Sequence, residues 1–136
     1  MRMAKHDEKI DKRINGPTWG SIREKLVDIQ HILLSINESA ASELTTIYAK
    51  YKVSEDPLSQ VFAVMWLKTA KKVVLGLATP EKICHKDIVD APNGMKYKGL
   101  TSYLEIKEDR EIPEELKSWA MQAFENVKTE NTQLIS

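Results

Sequence analysis

The sequence predicts an α+β domain in which an N-terminal and a C-terminal helix cover one face of a four-stranded antiparallel sheet. The first observation is a pair of apolar runs, residues 61–67 and 73–78, joined by a lysine-rich turn. As a single helix these runs would be apolar on every side, and their valine and aromatic content favours strands. We therefore interpret them as a β-hairpin. The other two observations are segments near the two ends of the chain in which apolar residues follow helical spacing.

The N-terminal half contains a charged tail, the first helix and the first strand. Residues 1–16 are highly charged and are expected to fray. Residues 44–53 alternate in polarity and contain strand formers, which predicts a strand, although a continuous helix over residues 19–52 is the alternative. Apolar residues at intervals of three and four predict the first helix, with Trp19, Ile22, Leu26, Ile29, Leu33 and Ile36 on its buried side.

The C-terminal half contains a long loop, the fourth strand and the second helix. Residues 79–96 lack a regular pattern, and a loop of this length in a small domain is either functional or mobile. Residues 97–107 alternate again, and Pro113 followed by two glutamates begins a helix. Its buried side is expected to carry Leu116, Trp119, Ala120, Ala123, Phe124 and Val127. With each strand next to its neighbour, the simplest topology is an antiparallel meander within one domain, residues 17–128, followed by a frayed tail, residues 129–136.

Composition sets limits on the class of protein. The chain has 136 residues, and its 20 basic and 20 acidic side chains give no net charge, so bulk electrostatics favour no partner. The single cysteine, Cys84, excludes an internal disulfide framework and is typical of a reducing compartment. No apolar stretch is long enough to cross a membrane, and the N-terminus lacks the apolar region of a signal peptide. We therefore expect a cytoplasmic protein with no membrane partner.

Several short segments together resemble a known family over roughly residues 17–128. They are Gly16-Pro17 before the first helix, Tyr48-Ala49-Lys50-Tyr51, Val61-Phe62-Ala63-Val64, Val74-Leu75-Gly76-Leu77, and the run from Ile112-Pro113-Glu114-Glu115-Leu116 to Phe124. The pattern resembles DUF5655, a small bacterial family of unknown function, some of whose members are labelled "predicted transport protein". The resemblance implies the α+β fold described above. It implies no catalytic residues.

Few side chains suggest a catalytic or metal site. Cys84 and His85 are the only adjacent metal-binding types, but a structural zinc site needs about four ligands and a nucleophilic pair needs a positioned base. The acidic residues between Glu105 and Glu111 are interrupted by basic ones and are typical of a solvated connection. No phosphate-binding glycine loop is present. No cofactor, metal ligand or catalytic residue is therefore predicted.

The remaining candidate is the sheet face away from the helices, where strand alternation gathers aromatic and basic side chains and places Phe62 beside Trp66. An exposed face with this many apolar residues is unusual in a monomer, so it should be covered. The leading hypothesis is a non-enzymatic interaction module that binds a protein partner or a second copy as a homodimer. A single-stranded nucleic-acid or small-ligand binding protein is an alternative, as is an enzyme or metal carrier with a site in the 79–96 loop. Cover by the loop itself would also account for the pattern. The predicted binding residues are Tyr48, Lys50, Lys52, Trp66, Tyr97 and Tyr103.

Overall fold

The computed structural model has an α+β fold, which confirms the predicted fold class. It describes residues 7–20, 22–46, 48–56, 58–69, 72–92 and 94–135, with the backbone alone for residues 68, 69, 72 and 129–135. The helices in this part of the chain are α1 (Glu8–Ile14), a 3-10 turn (Pro17–Trp19), α2 (Arg23–Ser35) and α3 (Leu116–Ile135). The strands are β1 (Ala41–Leu44), β2 (Tyr48–Lys52), β3 (Val61–Thr69), β4 (Lys72–Leu77), β5 (Ile88–Val89) and β6 (Ser102–Ile106).

The sheet has six strands in the order β1-β2-β3-β4-β6-β5, and every neighbouring pair is antiparallel. The predicted number of four strands was wrong, because one short strand is added at each edge. At one edge β1 forms a hairpin with β2, and β1 shares only Leu44 with the predicted strand of residues 44–53. Its turn is closed by Thr45, whose backbone N–H donates to the Tyr48 carbonyl oxygen at 2.7 Å and whose hydroxyl donates to the same oxygen at 2.9 Å. A short polar strand such as β1 has too little alternation to be recognised in the sequence.

The predicted hairpin is formed by β3 and β4, in which Met65 pairs with Leu75. Two residues of its predicted turn, Ala70 and Lys71, lie outside the described residues. One side chain was assigned to the wrong face. Phe62 was expected to face away from the helices, but its ring packs edge-on against Phe124 of α3, with the centroids 5.2 Å apart. The cause is a bulge: the pairing of β2 with β3 shifts between Tyr51 and Lys52, and the shift leaves one extra residue in β3.

The three helices and one face of the sheet share a single apolar core. The predicted stripes of the two long helices are buried in it except for Ile36, which is half-buried, and this confirms the helical spacing; Trp19 and Ile22 lie just before α2 rather than within it. The remaining core residues come from alternate positions of the strands. They are Ala49 and Tyr51 on β2, Ala63, Met65 and Leu67 on β3, Val73, Leu75 and Leu77 on β4, and Leu104 and Ile106 on β6.

The two termini are more ordered than expected. Residues 8–14 form α1, which is capped by the Asp7 side chain, and Ile10 and Ile14 are buried in the core. Two apolar residues four positions apart are enough to dock one helical turn in an otherwise charged segment. At the other end, the α3 backbone continues to Ile135, past the expected boundary at residue 128. Within the described residues, no helix is both long and apolar enough to cross a bilayer.

Candidate functional site

The sheet face away from the helices, here called the second face, carries a small apolar cluster that is separate from the main core. Its buried members are Val64, Trp66, Val74, Met95 and Tyr103. Five of the six predicted binding residues lie on strands of this sheet: three on β2, Trp66 on β3 and Tyr103 on β6. The sixth, Tyr97, was assigned to the fourth strand but lies in the loop between β5 and β6.

The structure brings the four predicted aromatic residues together. The Tyr48 ring lies 5.8 Å from that of Trp66 and 6.0 Å from that of Tyr97, measured between centroids, and both contacts are edge-on. Trp66 in turn lies 6.1 Å from Tyr103. Edge-to-face contacts at such distances are favourable and hold the rings in defined orientations. These four aromatic residues thus form one contiguous group, three of them on strands and Tyr97 on the loop before β6.

The chain itself covers the centre of this cluster. Residues 94–100, here called the covering segment, pack Met95, Tyr97 and Leu100 against it, and the Tyr97 backbone N–H donates to the Tyr103 hydroxyl at 3.3 Å. As a result, only 2% of Trp66 and 6% of Tyr103 is exposed. The 79–96 loop was expected to provide this cover. Its last residues, 94–96, do so together with residues 97–100.

A glycine in β4 makes room for the covering segment. A Cβ atom on Gly76 would lie 2.5 Å from Leu100 Cδ1 and 3.3 Å from ring atoms of Trp66 and Tyr103. No side chain could occupy that position without displacing Leu100. The absence of a side chain at Gly76 therefore allows Leu100 to pack directly against the β4 backbone.

The lysines of the second face are paired with an acid rather than free. Lys50 lies opposite Glu43 in the β1–β2 ladder, and the Glu43 Oε2 atom is 3.4 Å from Lys50 Nζ and 3.5 Å from Lys52 Nζ. The charge of Lys50, with a smaller contribution from Lys52, lowers the pKa of Glu43 below its ordinary value of 4.5, against a weaker effect of burial. Only 8% of the Lys52 side chain is exposed. One carboxylate thus offsets half of the positive charge that the sequence suggested.

A second group of polar residues surrounds His85, which sequence reasoning had set aside. Its Nδ1 atom accepts a hydrogen bond from the Asp87 backbone N–H at 3.1 Å, and its Nε2 atom lies 3.4 Å from Glu115 Oε2. The imidazole ring packs edge-on against Trp119, with centroids 5.2 Å apart. On the other side, Arg110 Nη1 donates to Asp87 Oδ1 at 3.0 Å. Asp87 is a neighbour of His85 in the sequence, whereas the other partners lie between residues 110 and 119, so no local motif could have indicated the whole group.

The chemistry available around His85 is limited by these contacts. Both ring nitrogens have partners within the chain, and the neighbouring Cys84 is exposed. Across the part of the chain that the structure describes, no group of three or more His, Cys, Asp and Glu residues could hold a metal ion.

Comparison with known proteins adds no relative: no family model, no curated protein and no solved structure matches this chain. The resemblance to DUF5655 therefore stays a prediction.

Proposed function

We propose that the protein is a non-enzymatic interaction module that acts through the rim of the second face. The rim consists of Tyr48, Lys50, Tyr97 and Glu43. The observation that carries the proposal is the pair of half-buried tyrosines, whose perpendicular rings contact each other at 6.0 Å beside a charged pair. Tyrosine is enriched at protein interfaces because it combines a large apolar ring with a polar tip. Trp66 and Tyr103 then support the rim from below rather than contact the partner.

A protein partner has more support than nucleic acid or a small ligand. Phosphate binding relies on lysines that release counterions, whereas Lys50 and Lys52 already share Glu43. A small ligand would need the space over Trp66 that the covering segment fills. A rim that carries both signs of charge can be complementary to itself across a two-fold axis. We therefore favour a homodimer in which Lys50 of each protomer faces Glu43 of the other.

A catalytic role in the 79–96 loop has less support than a binding role. His85 is the loop's natural general base, and both of its ring nitrogens have partners within the chain. A catalytic base needs one nitrogen free to exchange a proton with a substrate.

A charge swap on the rim tests the homodimer. Lys50→Glu should weaken association by about tenfold or more, because like charges would then face each other across the axis. The same is expected for Glu43→Lys, whereas the double variant should restore association. Molar mass is measured by light scattering over a range of protein concentrations. Lys117→Glu, an exposed position on α3, makes the same charge change as Lys50→Glu away from the rim and should leave the molar mass unchanged.

Two further results bear on the proposal. Tyr97→Ala should weaken association while thermal unfolding, followed by circular dichroism, shows that the variant remains folded. Trp66→Glu is not a useful variant, because a charge in this buried position would unfold the cluster whatever its function. A parent protein that stays monomeric at every concentration would rule out the homodimer.

A further inference from the structure

A cleft beside His85 is separate from the rim and has a different chemical character. It has a volume of about 570 Å³ and lies between the turn at residues 85–87 and the segment at residues 110–114. Its lining contains two basic side chains, three acidic ones, the His85 imidazole, and the apolar pair Ile112 and Pro113; the third acid is Asp87, which is buried and paired with Arg110. The charged residues that line it and face the solvent are Lys86, Arg110, Glu111 and Glu114.

Arg110 is held in place at both its backbone and its side chain. The Lys25 ammonium group donates to the carbonyl oxygens of Lys107 at 2.8 Å and Glu108 at 2.5 Å, and also to that of Arg110. These bonds fasten the loop after β6 to α2. At the other end, the guanidinium group donates to Asp87, a residue that is only 6% exposed. A cationic group that is already fixed loses little conformational entropy when it binds a ligand.

Half of the Arg110 side chain is nevertheless exposed. A guanidinium group has five N–H donors, and the contact with Asp87 Oδ1 at 3.0 Å engages Nη1. The remaining donors are therefore available for a carboxylate. The buried Asp87 has a positioning role here, because it orients the guanidinium group without occupying all of it.

We propose that this cleft binds a small zwitterion, of which a free amino acid is the simplest example. The ligand carboxylate would contact Arg110 and Lys86, and its ammonium group would contact Glu111 and Glu114. A simple anion would meet repulsion from the two glutamates, and a simple cation would leave Lys86 and the exposed donors of Arg110 without a partner in the cleft. The mixed lining thus selects a ligand that carries both charges. This inference is independent of the homodimer proposed above.

The first test compares three probes on the full-length protein: free glycine, N-acetylglycine, which keeps only the negative charge, and glycine methyl ester, which keeps only the positive one. Binding is followed by nuclear magnetic resonance shifts of the Arg110 side-chain N–H groups and of the Trp119 indole, which contacts His85. Glycine should give saturable shifts with a dissociation constant of about 1 mM or below. Each analogue should bind at least about tenfold more weakly. Equal binding of N-acetylglycine, or no saturable shift with glycine, would overturn the proposal.

The second test uses exposed side chains, so that folding is preserved. Lys86→Gln and Glu114→Gln should each weaken glycine binding by about threefold or more, since each removes one of the matching charges. Lys117→Gln and Glu125→Gln make the same changes on exposed positions of α3 that do not line the cleft, and they should bind like the parent. Variants of Arg110 are avoided, because they would leave the Asp87 carboxylate buried without its partner. Unchanged affinity in both cleft variants would also overturn the proposal.

Discussion

The substitution Gly76→Ala tests whether Leu100 holds the covering segment on the second face. The added Cβ atom would lie 2.5 Å from Leu100 Cδ1, whereas ordinary van der Waals contact begins at 3.4 Å. Leu100 would therefore have to move by about 0.9 Å, the difference between these two distances. Overpacking of this kind lowers the free energy of unfolding by ~1–3 kcal/mol. The same movement should expose Trp66, which lies beneath the segment.

A double-mutant cycle with Leu100→Ala isolates this contact. When Leu100 is shortened, the 2.5 Å contact is removed and only the two at 3.3 Å remain, so Gly76→Ala should change the free energy of unfolding by less than ~0.5 kcal/mol, because the lower backbone entropy of alanine offsets the residual crowding. The coupling between the two positions should therefore be at least ~1 kcal/mol. Urea unfolding gives the four free energies. Gly16→Ala, which has no atom within 4 Å of the added Cβ, serves as the control and should change stability by less than ~0.5 kcal/mol. If the two changes in the free energy of unfolding were strictly additive, Gly76 and Leu100 would not be in the close contact proposed.

Two further predictions concern buried and paired ionisable groups. Tyr51→Phe should raise the free energy of unfolding by ~1 kcal/mol at pH 7, because the buried hydroxyl has no hydrogen-bond partner among the described residues. Burial also raises the pKa of Tyr51 above its ordinary value of 10, so the unfolded chain ionises first. Between pH 7 and pH 11, the free energy of unfolding of the parent should therefore fall by a further ~1.4 kcal/mol relative to that of the variant. Glu43→Gln should destabilise by less than ~1 kcal/mol at pH 7, and the difference from the parent should disappear as the pH falls below 4.5 through the lowered pKa of Glu43.

Urea unfolding at several pH values checks both predictions. For Tyr51→Phe, a variant that is less stable than the parent at pH 7 would show that the hydroxyl has a partner, and parallel curves above pH 10 would show that it ionises as easily in the folded chain. For Glu43→Gln, a difference that persists at pH 3 would mean that the substitution acts through packing rather than through the charge of the acid.

Local periodicity was sufficient to predict the elements in which apolar side chains recur at regular intervals. The stripe on α3 recurs at intervals of three and four residues, and the β3–β4 hairpin shows two apolar runs of strand-forming residues. In both cases the backbone geometry alone decides which side chains share a face. The same alternation brought Tyr48, Trp66 and Tyr103 together on the second face.

The errors arose where distant segments meet. Phe62 lies on the face opposite to the predicted one, because a bulge in the pairing of β3 with β2 inserts one residue and interrupts the alternation of side chains. The pairing of Lys50 with Glu43 was missed because β1 is too short to be recognised before its partner strand is known.

The sequence by itself determined the fold class, the two long amphipathic helices and the aromatic character of the second face, since these follow from side-chain spacing along single elements. Only the tertiary structure decided what becomes of that face. Whether Trp66 is a contact surface or a buried support depends on Leu100 resting against Gly76, 24 residues earlier in the chain. The cleft beside His85 likewise lies where the loop after β6, which is bonded to α2 by Lys25, meets the turn that contains Asp87. Such contacts depend on the shape of the folded chain, and no local pattern of residues encodes them.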